Sequence, residues 1–152
     1  MPFEDGPFIA AALLCERVLT EADATQSAIR IVDRVTAQVI TTGPADSPPA
    51  QFQGVQVTLW ALIILKNGKA AGSHRLVVTP IAPSGLRMGS TGNDVLFEGG
   101  EDRGVSITAP VQFVAQEEGV YWFDVSLDDT RLTRVPLRII VQRQSVTFLP
   151  GY

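Results

Sequence analysis

A single cysteine, Cys15, and a single histidine, His74, are all that the 152 residues hold of the two side chains most used for metal binding and nucleophilic catalysis. One cysteine excludes an internal disulfide and a cysteine-based metal cluster. Cys15 ends the apolar run Ala10-Ala11-Ala12-Leu13-Leu14-Cys15, and a reactive thiolate needs nearby positive charge or a helix terminus, so the expectation is a buried, inert thiol. Any Ser-His-Asp triad or Cys-His pair would have to use His74, and no Gly-x-Ser-x-Gly elbow accompanies it. His74 therefore reads as a partly exposed strand residue, and no catalytic residue is assigned. Excess positive charge is lacking too. A net charge of −4 opposes attraction to phosphate backbones and anionic lipid surfaces, so nucleic acid and membrane are not expected partners. The opening Met1-Pro2-Phe3-Glu4-Asp5-Gly6-Pro7 is acidic where a signal peptide is basic, and the apolar stretch after it is too short to span a bilayer. A cytoplasmic location is expected.

What the chain does have is apolar residues cut into short lengths. Hydrophobic residues make up 45% and charged residues 18%, which leaves neither the polar surplus nor the net charge that keeps a chain disordered. The length suits one domain, residues 1–152, with one core. Proline and glycine recur in small clusters, a spacing that predicts sequential β-strands. In Val55 to Lys66, Val55, Val57, Leu59, Ala61, Ile63 and Leu65 alternate with Gln56, Thr58, Trp60, Leu62, Ile64 and Lys66. One face is wholly apolar, and the other turns apolar at Trp60, Leu62 and Ile64, so the strand is either covered on both sides or exposes a patch for a partner.

Lys66-Asn67-Gly68-Lys69 predicts a tight type I′ hairpin into a strand from Gly72 to Ile81. A second hairpin is predicted from Gly119–Leu127, the turn Asp128-Asp129-Thr130, and the alternation of Val135, Leu137, Ile139 and Val141. Pro136 cannot donate to a ladder, which places that last strand at a sheet edge or beside a bulge. Asp94 to Glu98 and Gly104 to Gln116 read as strands. In the first forty residues Ile29, Val32, Val35 or Thr36, and Val39 recur at helical spacing, but the wealth of β-branched residues favours two strands, Phe8 to Leu19 and Ala28 to Ile40. A mobile loop is expected over 42–52. Eight strands with short turns predict an all-β, antiparallel two-sheet sandwich, with a flattened barrel as the alternative, because an open sheet would leave one apolar side wet.

Neither glycine-rich stretch carries a phosphate-loop signature. Gly85 to Asp94 lacks the Gly-Lys-Ser/Thr ending and a following helix, and Glu98 to Gly104 reads as a polar turn. Asp94, Glu98, Glu101, Asp102, Glu117, Glu118, Asp124, Asp128 and Asp129 precede a segment where Arg131, Arg134, Arg138 and Arg143 have no acidic neighbour in sequence. Converging loop carboxylates would suit calcium, but solvated turns and cross-strand pairing with the arginines account for the same residues. No metal or cofactor is predicted. In Tyr121-Trp122-Phe123, Trp122 faces away from its two neighbours, and with Trp60 it could form an aromatic platform for a sugar or another chain.

Three segments, Leu14-Cys15-Glu16-Arg17-Val18-Leu19, Ile31-Val32-Asp33-Arg34-Val35, and Gly119-Val120-Tyr121-Trp122-Phe123-Asp124-Val125 with Leu132-Thr133-Arg134-Val135-Pro136-Leu137, resemble a family of uncharacterised bacterial β-sandwich proteins. The Gly-x-Tyr-x-Phe element is shared with immunoglobulin-like and C2-like sandwiches. The resemblance implies a fold and no activity. With no catalytic set, the chain reads as a non-enzymatic binding or assembly module acting through a protein partner or self-association. Its candidate interaction face is Trp60, Leu62, Ile64 and Trp122, and the alternative is a sandwich that binds carbohydrate or calcium.

Overall fold

The structure, a computed structural model, describes residues 5–42, 54–146 and 151. Among them nine strands form two sheets: β1 Phe8–Thr20, β2 Gln26–Ile31, β3 Arg34–Thr42, β4 Val55–Lys66, β5 Gly72–Ile81, β6 Thr91–Phe97, β7 Gly104–Ala115, β8 Gly119–Leu127 and β9 Thr130–Val146. The first sheet has the order β2-β1-β4-β7 and the second β3-β9-β8-β5-β6. The expected all-β sandwich is present, with one strand more than expected and one parallel pair, β3 with β9. The additional strand comes from a break in the predicted Ala28 to Ile40 segment. Arg30 takes a left-handed φ of 55°, β2 stays beside β1, and after Val32-Asp33 the chain crosses to the other sheet as β3. β-Branched composition favours extended backbone but carries no information about which sheet a segment joins. The loop expected over 42–52 falls outside the described residues, apart from Thr42 at the end of β3.

Alternation decides what fills the space between the sheets. β4 contributes Val57, Leu59, Ala61, Ile63 and Leu65, β7 Ala109, Val111, Phe113 and Ala115, and β8 Tyr121, Phe123, Val125 and Leu127, all buried. Phe113 packs tilted against Tyr121 and Phe123, with ring centroids 5.2 and 5.9 Å apart. The Tyr121 hydroxyl donates to the Glu117 carbonyl at 3.0 Å, tying the start of β8 to the turn before it. Strands β1, β4 and β7 opposite β9, β8, β5 and β6, with a tyrosine tied back at this corner, form the strand arrangement of an immunoglobulin-type sandwich. Antibody domains of that type place a cysteine two residues after the tyrosine; here Phe123 occupies the place and packs on Phe113 of β7 in the facing sheet.

Only one of the two expected hairpins forms. β4 and β5 lie in different sheets, so Lys66-Asn67-Gly68-Lys69 is a crossover and not a hairpin. Asn67 is buried; its N–H donates to the Arg103 carbonyl at 2.8 Å and its carbonyl accepts from Ala70 at 3.0 Å. Gly68 has a positive φ of 55° and is crowded by the Asp5 carbonyl, which leaves no room for a side chain. The hairpin between β8 and β9 is as expected, and both Asp128 and Asp129 carry the positive φ that a type I′ turn needs, 46° and 66°. β9 is flanked by β8 and β3, but pairing with β3 begins only at Arg138. Pro136 thus sits where β9 has a neighbour on one side alone, which is how a strand without that N–H is accommodated.

Candidate functional site

The four residues of the predicted interaction face do not share a surface. Trp60, Leu62 and Ile64 lie on the outer side of the first sheet, and Trp122 on the outer side of the second, so no joint platform of the two tryptophans exists. Leu62 is moreover 4% exposed and, like Cys15, buried without belonging to the main core. Gln26 explains the cover. Its Nε2 donates to Thr108 Oγ1 at 3.5 Å, although β2 is three strand places from β7, about 14 Å in a flat sheet. The β1–β2 hairpin must therefore leave the sheet plane after Cys15 and cross the outer face above Leu62.

What stays uncovered is a row perpendicular to the strands. Register aligns Ile31 of β2, Cys15 of β1, Trp60 of β4 and Pro110 of β7. Ile31 is 63% and Trp60 38% exposed, Pro110 is exposed, and Cys15 is buried between Ile31 and Trp60, where burial pushes its thiol pKa up. Ile31 and Pro110 had no signal of their own in the sequence, since only the register of four strands brings them together.

On the second sheet's outer face, Trp122 pairs with Ile81 and Pro136, and Asp124 with Thr79 and Arg134. Asp124 is buried and accepts from Arg134 Nε at 3.0 Å, with Arg131 at 3.9 Å; the Arg134 guanidinium lies 5.1 Å from the centre of the Trp122 ring. Of the four arginines without acidic neighbours in sequence, Arg131 and Arg134 find one across the hairpin in Asp124. Other acids are likewise engaged, Asp94 by Arg75 at 2.8 Å and Glu98 by Arg103 at 3.7 Å. Among the described residues no three of His, Cys, Asp and Glu are grouped to hold a metal ion, and no helix is long and apolar enough to cross a membrane.

His74 is a clamp. Its Nδ1 meets Asp128 Oδ2 at 2.5 Å and its Nε2 the Ala71 carbonyl at 3.0 Å, while Asp128 Oδ1 accepts from the Arg75 N–H at 2.9 Å. Two acceptors on one imidazole favour the doubly protonated ring, and the Asp128 bond raises the His74 pKa above its ordinary 6.5. The Arg75 N–H and His74 hold the Asp128 pKa below its ordinary 3.8. A raised histidine adds stability that is complete below 6.5 and is lost as pH rises through the folded pKa; a depressed aspartate adds stability that is lost as pH falls through its own. The melting temperature of the native chain, measured against a His74→Gln variant, is expected to fall as pH is taken from about 6 to about 9. A constant difference over that range would show that the ring does not titrate in this contact.

Comparisons with known proteins add little to this geometry. No family model matches the chain, and no curated protein matches it. Among solved structures, an immunoglobulin-like protein from Pseudomonas aeruginosa aligns with a TM-score of 0.41 and 16% sequence identity, over 88% of this chain and 96% of that one.

Proposed function

We propose that this β-sandwich is a non-enzymatic assembly module that associates through the outer face of its first sheet, with a second copy of itself as the simplest partner. The observation that supports the reading is the row Ile31, Cys15, Trp60 and Pro110, in which two large apolar side chains, Ile31 and Trp60, are exposed on either side of the buried Cys15. Their burial against another chain is favoured at about 25 cal/mol per Å² of apolar surface. Contact is by face and not by edge. Pro110 removes an N–H from the middle of β7, and the left-handed Arg30 breaks the free edge of β2, so neither border of the sheet offers an uninterrupted ladder. The carbohydrate or calcium alternative has weaker support, because the tryptophans face apart and Asp94, Glu98, Asp124 and Asp128 are already engaged with cations.

Sedimentation velocity tests the reading with Ile31→Ser combined with Trp60→Ser. Both side chains are partly exposed, so the variant should keep its β circular dichroism while its dissociation constant rises about tenfold or more. A native chain that sediments as a monomer at its highest soluble concentration would remove self-association and leave the face to another protein.

A further inference from the structure

The outer face of the second sheet carries a cationic strip in a chain whose net charge is −4. Register puts Arg134, Pro136 and Arg138 on that face of β9, with Trp122 beside Pro136, and sets Arg34 of β3 directly across from Arg138. Residues four apart in a strand are separated by about 13 Å, so Arg134 and Arg138 bracket Trp122, which is 36% exposed. Arg134 is held in place by the buried Asp124 and stacked on the ring. Arg34 shares Asp33 at 3.1 Å. Arg138 gives its backbone N–H to the Asp33 carbonyl at 2.9 Å, and its guanidinium has no carboxylate in ion-pair range among the described residues. Like charges directly opposite on neighbouring strands repel, and an anion placed between them relieves that cost. Asp33 and Asp124 are both engaged, so the strip keeps an excess of positive charge.

The geometry points to an extended, acidic segment of another protein as the occupant of this strip. Two carboxylates four residues apart would meet Arg134 at one end and the Arg34 and Arg138 pair at the other, because an extended peptide has the same rise per residue as β9. A small apolar residue or proline midway would rest on Trp122. A nucleic-acid strand also presents anions, but its dense charge is repelled by the net charge of the chain, whereas a segment with two carboxylates matches the few cations present.

The test uses Trp60→Phe, which leaves Trp122 as the one tryptophan, and follows its fluorescence. The acetylated, amidated peptide Asp-Ala-Pro-Ala-Asp should give a saturable change at low ionic strength. Arg138→Ala should weaken it about threefold, and added salt should weaken it further. The matching peptide Asn-Ala-Pro-Ala-Asn should bind measurably less well. No response to the acidic peptide, equal binding of the two peptides, or tighter binding of an oligothymidylate would each overturn the assignment.

Discussion

Replacing Phe123 with Ala should cost about 3–5 kcal/mol of stability, the usual penalty for emptying a buried aromatic site that cannot collapse. Phe123 is 1% exposed, faces Phe113 with ring centroids 5.9 Å apart, and stands in β8 between β5 and β9. Both sheets lean on it. The loss would be a large share of the roughly 5–15 kcal/mol that holds a domain together, and the chain has no disulfide to limit its unfolded state. Chemical denaturation followed by circular dichroism should show the midpoint falling sharply with little change in slope. A loss below about 1 kcal/mol would mean that the core repacks around the vacancy and that the aromatic cluster does not organise it.

Leu62→Ala is the second large effect expected, about 2–4 kcal/mol, although Leu62 stands on the outer side of its sheet. In a domain of this size that lowers the melting temperature by roughly 6–12 °C. The reason is the hairpin of β1 and β2, which crosses above Leu62 and delivers Gln26 to Thr108. Trp60→Ala, two residues away and 38% exposed, should cost less than Leu62→Ala despite removing the larger side chain. If Leu62→Ala changed only the sedimentation of the chain and left its melting temperature alone, the hairpin would not be the cover, and Leu62 would rejoin the exposed row.

The contrast between Leu62 and Trp60 marks where sequence reasoning stops. Both occupy the same phase of one alternating strand, and period-two spacing makes them equivalent. What separates them is the path of a hairpin more than thirty residues earlier in the chain. Turn chemistry shows the same boundary. Asn67-Gly68 and Asp128-Asp129 both advertise a tight turn, yet only the second joins paired strands. Gly68 serves instead to let the backbone at Asp5 approach, a contact that no local window contains.

The existence of most strands and the wholly apolar, inward-facing side of β4 were legible from the sequence, because alternation is a local pattern that burial must respect. So were the burial of Cys15 and the Asp128-Asp129 hairpin. Only the tertiary structure decided which sheet each strand joined, that β3 runs parallel to β9, that Trp60 and Trp122 face apart, and that Ile31 stands in line with Trp60. Those are relations between segments distant in the chain. They follow from the entropy of closing loops and the burial of whole faces, and the identity of any one residue encodes neither.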